Sequence, residues 1–140
     1  MSENTAIVAV GTLMSEPTGT SICSIDQQSA TSEQRKMVYN AMNNPTHKIG
    51  DFINKKISVE NVLIETVDLM DDETGEIDRV PRTVLITPKG ESYTATSKGV
   101  FNSIKNAYKA FGAAPWNPAI EFEVKQVNVG RGSMLTLEMV

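Results

Sequence analysis

The segment from Arg82 to Gly112 constrains the fold more than any other, because it spells a strand, a tight turn, a returning strand and an amphipathic helix without interruption. Val84, Leu85 and Ile86 form an apolar run of strand type. Thr87-Pro88-Lys89-Gly90 stops it: Pro88 suits the second position of a type I turn, and Gly90 supplies the positive φ that a three-residue hairpin needs. Tyr93 to Thr96 runs back, and Ser97 is a helix N-cap. Val100, Ile104, Ala107 and Phe111 follow at spacings of four, three and four and so share one face. Lys98, Asn102, Lys105 and Lys109 keep the same spacing on another, and Gly112 is the stop. A hairpin thus delivers a helix with an apolar side and a basic side.

The rest of the chain supplies further strands. Ala6 to Val10 reads as a first strand, residues 15–20 as a loop, and Ser21 to Asp26 as a weak strand. Thr31 caps a helix, with Gln34 as its capping-box partner and Met37, Val38 and Ala41 as its apolar stripe; Asn43-Asn44-Pro45 ends it. Residues 46–52 read as a loop carrying the lone His47, whose imidazole is satisfied structurally or simply exposed in preference to catalytic.

Ile57 to Leu69 is a long strand whose apolar phase shifts from Ile57 and Val59 to Val62 and Ile64, then back to Val67 and Leu69. Such a shift predicts a bulge or sharp curl near Asn61. Asp71 to Glu76 forms a polar hairpin tip, and Ile77 to Thr87 returns antiparallel, with Pro81 restricted to an edge or irregular position. After the helix, Ala113 to Pro118 is a connection. Ile120, Phe122 and Val124 alternate with charged residues, and Met134 to Val140 closes the chain with Leu135, Leu137 and Met139 on one face.

With 140 residues and no internal repeat or linker, one domain spanning residues 1–140 is expected. The fold class is mainly β with two helices. A helix between a three-strand meander and a final hairpin is the connectivity of a five-stranded Greek-key barrel of OB-fold type, with the helix between strands 3 and 4. An open α+β roll is compatible with the same order of elements.

Composition narrows the chemistry. Cys23 is the single cysteine and His47 the single histidine, so neither a disulfide within the chain nor a thiolate or histidine-rich metal site is expected, and no cofactor is implied. The acids of residues 71–78 lack the spacing of a calcium loop. Gly130-Arg131-Gly132 is too short to cradle phosphates, and no nucleophile stands with a base, so an enzyme is not expected. Met1 to Thr5 lacks the basic start of a signal peptide and Ala6 to Leu13 is too short to span a bilayer, which suggests a cytoplasmic protein without a membrane partner.

Charge is unevenly spread. The net charge is −4, yet residues 60–78 hold eight acids and no base, whereas residues 79–118 hold six bases against Glu91 alone. Either these are solvated faces or the second segment docks an anion, because local field decides where an anion binds. Single-stranded nucleic acid needs aromatic platforms under bases and cations along the backbone. On an OB barrel the binding surface involves strands 2 and 3 and the neighbouring loops. That surface maps to Phe52, Lys55 and Lys56 before and into the long strand, and Arg79 and Arg82 on its hairpin partner. Lys89 and Tyr93 follow at the turn, and Lys125 and Arg131 on the last hairpin. Trp116, like Phe52, is either core or platform.

The run K-G-E-S-Y-T-A-T-S-K-G-V-F-N-S-I-K-N (89–106), the strand E-F-E-V-K (121–125) and the ending G-R-G-S-M-L-T-L-E-M (130–139) together resemble the single-stranded DNA-binding proteins of small tailed phages of Gram-positive bacteria, of the protein-primed replication type. The resemblance covers the C-terminal half. It implies an OB-like barrel that coats displaced strands without sequence preference, with Tyr93 at a tyrosine that touches DNA. The family's tyrosines on the second strand have no counterpart in V-L-I-E-T-V-D-L-M-D-D-E (62–73), so stacking falls to Phe52 or Trp116, or binding leans on charge. Single-stranded DNA is the expected partner, with phage DNA polymerase or another replication protein beside it. The protein is expected in the host cytoplasm, as a monomer or weak homo-oligomer. The alternative is a protein-interaction module that uses the acidic hairpin of residues 60–78 to bind a replication or host protein.

Overall fold

A computed structural model of the chain describes residues 21–25, 29–130 and 132–140. The strand expected at Ala6 to Val10, the loop at 15–20, and the end of the weak strand at Asp26 lie outside them. The described part is mainly β with two helices, in the order β1 (Ser21–Cys23), α1 (Ser32–Asn43), β2 (His47–Lys48), a 3-10 turn (Ile49–Phe52), β3 (Lys56–Val59), β4 (Asn61–Met70), β5 (Ile77–Ile86), β6 (Ser92–Ala95), α2 (Lys98–Phe111), β7 (Ile120–Val129) and β8 (Gly132–Met139). They form a five-stranded sheet, β1-β4-β5-β6-β2, and a three-stranded sheet, β3-β7-β8.

The expected curl is present. β3 pairs with β7 and β4 pairs with β5, so a nearly continuous strand serves both sheets and turns between them at Glu60. The backbone groups freed at the bend are used: Glu60 N–H donates to the Ile86 carbonyl at 2.9 Å, and Glu60 carbonyl accepts from Trp116 N–H at 2.8 Å. Ile57, Val59, Val62 and Ile64 all enter one core with Leu85, Phe122, Val124 and the buried face of α2.

The uninterrupted runs Val62-Leu63-Ile64 and Val84-Leu85-Ile86 have a separate cause. Leu63, Val84 and Ile86 point to the opposite face, where Val38 and Ala41 of α1 cover them. A sheet buried on both faces reads as continuously apolar, not alternating. The second phase shift expected at Val67 and Leu69 does not occur: Leu69 lies on that outer face, exposed. The two-residue β2, parallel to β6, replaces the loop expected at residues 46–52. Pro81 is tolerated because β6 pairs with β5 only from Thr83 onward, leaving one side of β5 unpaired at Pro81.

The helices follow their local signals. Thr31 and Gln34 form the reciprocal capping box, with N–H to oxygen distances of 2.8 and 3.1 Å. Ser97 Oγ accepts from the Gly99 and Val100 amides. On α2, Val100, Ile104 and Ala107 are buried as expected, but Phe111 is 60% exposed, and Phe101 and Tyr108 enter the core instead. The stripe leaves the protein body before the helix ends.

The sheets are open, not a closed barrel. Among the described residues no ladder joins β6 to β8. The N-terminal half of α2 lies against the edge of β8 that faces away from β7. Ser97 Oγ donates to the Leu135 carbonyl at 3.3 Å, and the Leu137 amide donates to Ser103 Oγ at 3.1 Å. Serine hydroxyls thus satisfy edge groups that a strand would take in a closed barrel.

That seam depends on the absence of a side chain at Gly99, where a Cβ would collide with the Leu135 carbonyl and Met134. Alanine is intrinsically the better helix former by about 1 kcal/mol, yet Gly99→Ala is expected to destabilise the fold by about 1–3 kcal/mol through overpacking. Urea denaturation measures this, and a stabilised variant would show that the seam is loose. Burial pushes the Tyr108 phenol up to about 12, with Cys23 adding to the rise and a hydrogen bond with the Ala114 backbone opposing it. The unfolded tyrosine ionises near 10, so this contribution is complete below pH 10 and is lost as pH climbs through about 12. Tyr108→Phe should remove that part of the alkaline slope in stability, read by denaturation at a series of pH values.

Candidate nucleic-acid interface

Three rings meet where β2, the 3-10 turn and β6 converge. The parallel register sets His47 beside Tyr93, with ring centroids 4.7 Å apart. Phe52 stands edge-on to both, at 5.0 Å from His47 and 4.9 Å from Tyr93. The junction is held by hydrogen bonds between Thr46 and Ser92: each backbone amide donates to the other's hydroxyl, at 3.0 and 3.1 Å. His47 Nε2 lies 3.6 Å from a Glu91 carboxylate oxygen, and Lys55 Nζ sits 5.7 Å from the Phe52 ring centroid, within cation–π range.

These rings differ in access. Tyr93 is only 7% exposed and belongs to the core cluster, whereas Phe52 and His47 are partly open. Burial raises the Tyr93 phenol above its ordinary value, and the Glu91 carboxylate adds to the shift. Tyr93 therefore supports the other two rings from behind and offers little face of its own.

Strand alternation places Lys48 and Thr94 on the reverse side. There a groove of about 590 Å³ runs along β6 to the start of α2, bordered by Lys48, Asp51, Arg82, Thr94, Ser97 and Leu135. Arg82 is not free in it: its guanidinium donates to Glu65 at 3.0 Å across the β4–β5 pair.

The sequence candidates thus separate. Phe52, Lys55 and Tyr93 come together, and Lys56 continues the same exposed stretch at the start of β3. Lys89 is exposed at the turn before β6, and Arg79 is exposed opposite Asp68 near the far end of the β4–β5 hairpin. Lys125 is tied to Glu123 at 2.9 Å, and that hydrogen-bonded carboxylate raises its pKa. Trp116 is buried, edge-on to Tyr108, with its indole N–H donating to the Gly112 carbonyl at 3.0 Å. No ring face there is offered to a base. Arg131 lies outside the described residues. His47, read from the sequence only as a structural, exposed or catalytic imidazole, and Lys48, which carried no sequence signal, are brought to this region by the pairing of β2 with β6. Among the described residues no group of His, Cys, Asp and Glu is arranged to hold a metal, and no helix is long and apolar enough to cross a membrane.

A family model described as Phage Single-stranded DNA-binding protein matches residues 18–140. The chain belongs to that family. No curated protein and no solved structure matches it.

The burial of Tyr93 has a consequence for mutation. Tyr93→Ala is expected to cost about 3–5 kcal/mol of stability, as for other buried rings, while Tyr93→Phe stays close to wild type. Urea midpoints of the two variants decide this. An Ala variant as stable as wild type would show that the ring packs loosely.

Proposed function

We propose that this chain coats displaced single-stranded DNA during phage replication without sequence preference, shielding it from nucleases and reannealing, with phage DNA polymerase or another replication protein working beside it in the host cytoplasm. The observation that carries the reading is the ring cluster, with Phe52 and His47 partly open and Lys55 over the Phe52 ring. Stacking of a base on such a ring contributes about 1–3 kcal/mol, without regard to base identity.

The order of elements supports the reading: one bent strand shared by two open sheets, a meander through β5 and β6, a helix and a closing β7–β8 hairpin are compatible with an OB-like arrangement. In this chain α2 fills the seam between β6 and β8. The backbone of the strand runs past Lys55 and Lys56, with Lys89 on the near turn. Arg82 is held by Glu65 and Lys125 by Glu123, and Arg79 stands opposite Asp68 on the acidic hairpin, so these cations lie off the proposed path. With a net charge of −4, affinity rests more on stacking than on counterion release.

Binding of labelled oligo-dT, other single-stranded oligonucleotides and duplex DNA, followed by polarisation at several salt concentrations, tests the proposal. Single strands of different base composition should bind alike and duplex weakly. Phe52→Ala should weaken binding by about 5- to 150-fold, the equivalent of one stacked base. Replacing Lys55 and Lys56 by alanine should each lower the log–log salt slope by about 0.7. No binding of oligo-dT at low salt would overturn the proposal, and unchanged slopes would remove these lysines from the DNA path.

A further inference from the structure

The basic side of α2 has no part in the interface above. Lys98, Asn102, Lys105 and Lys109 follow one another at spacings of four, three and four, so they form a single ridge along the helix. At 1.5 Å of rise per residue the ridge is about 16 Å long. Lys98, Asn102 and Lys109 are exposed. Lys105 is half-buried, with its Nζ 5.6 Å from the Phe101 ring centroid, a cation–π contact that holds the ammonium on the ridge. The helix carries no acid. Among the described residues none of the three lysines is in an ion pair, unlike Arg82 and Lys125.

Helix stability does not account for this pattern. Lys98 is the first residue of α2, where a positive charge opposes the macrodipole, and the first turn has no acid to offset it. Lys105 and Lys109, four residues apart, repel each other. Of the three, only Lys109 in the last turn stands where the dipole favours a cation. A row of unmatched charge kept against these local penalties suits a ligand that carries a row of the opposite charge.

The ridge is continuous with the ring cluster. β2 is the last strand of its sheet, with His47 on the ring side and Lys48 on the reverse, so the two sides meet around its edge. From Lys48 the reverse groove follows Thr94 and Thr96 to Ser97, the cap of α2, and the ridge begins at the next residue. Four lysines stand along this course, Lys48, Lys98, Lys105 and Lys109, against Asp51 on the groove margin. The charge of Arg82 there is matched by Glu65.

We propose that single-stranded DNA leaving the rings rounds the edge of β2, passes along the groove and lies with its phosphates on the Lys98–Lys109 ridge of α2. The inference rests on the reading that this chain binds single strands. It adds to the rings a second surface, electrostatic in nature and strongest at low salt. Phosphate contacts carry no base information, so the extension keeps binding independent of sequence. With a log–log salt slope of about 0.7 per contact, each phosphate held raises affinity about fivefold at about 0.1 M salt.

The test is the dependence of affinity on strand length, measured on the full chain with oligo-dT of about 4 to about 16 nucleotides, the span of site sizes of OB-type single-strand binders. Lys98→Gln with Lys109→Gln clears the two ends of the ridge and leaves Lys105 on Phe101. Arg79→Gln with Lys125→Gln removes the same charge from cations off the path, and circular dichroism checks both folds. The ridge variant should match wild type on the shortest strands. On the longest it should fall about 25-fold below wild type at about 0.1 M salt, with the salt slope lowered by about 1.4. The control pair should follow wild type at every length, whereas Phe52→Ala should weaken binding at every length. A ridge variant equal to wild type on the longest strands overturns the proposal and leaves the ring-cluster reading standing. The same loss in the control pair also overturns it, by assigning the effect to net charge. A loss already complete on the shortest strands overturns the continuation, because the ridge would then share the nucleotides held by the rings. Wild type that binds no single strand at any length refutes the coating reading, and the ridge path with it.

Discussion

The bend at Glu60 is the constraint from which the rest of the structure follows. One stretch of chain pairs with β7 before it and with β5 after it, so the two sheets share a strand and must face each other across a common core. The bend costs two ladder positions, and both are recovered: one by the end of β5, the other by the backbone of Trp116. This ties the connection after α2 to the corner of the sheets and fixes where Trp116 must go. A ring held there by its own indole N–H and by Tyr108 is structural, whatever its appeal as a stacking platform.

The division of labour between faces has the same origin. β4 and β5 are covered on one side by α2 and the second sheet, and on the other by α1, for only part of their length. Beyond Val80 neither layer reaches, and the hairpin continues as a bare, acidic ribbon. The ring cluster forms at the opposite margin, where β2 adds two residues to β6 and brings His47 against Tyr93. The partly open rings and the acidic hairpin are thereby kept on separate parts of the molecule, and Lys55 at the rings is spared the acids of the ribbon.

The seam between β6 and β8 explains why expectation and structure differ over closure. A five-stranded barrel would join these strands directly, but the space is taken by the first turns of α2, which approach so closely that only glycine fits at residue 99. Ser97 and Ser103 then serve the β8 edge with hydroxyls. Ser97 is visible in the sequence as a helix cap, whereas Gly99 and Ser103 lie within the helix with no local sign of their use. Their role at the seam needs the position of a strand more than thirty residues away.

What the sequence determined by itself is the set of features whose causes lie within a few residues. The capping box of Thr31 and Gln34, the Ser97 cap, the turn at Gly90, the curl near Asn61 and most of the α2 stripe are of this kind, because short-range hydrogen bonds and side-chain periodicity decide them. The family motif over residues 89–139 was legible for the same reason, being carried by contiguous runs. Tertiary structure alone decided which aromatics face solvent. Tyr93, Phe52 and Trp116 look equally available in the chain, and the difference among them arises from layers packed over them by distant segments. His47 and Lys48 join the site only through β2, whose anchoring bonds span 46 positions of sequence. The capture of Arg82 by Glu65, and the exposure of Phe111 past the end of the core, were likewise settled by register and by where the neighbouring layers stop. Burial is a property of the assembled layers, and no local pattern encodes where a layer ends.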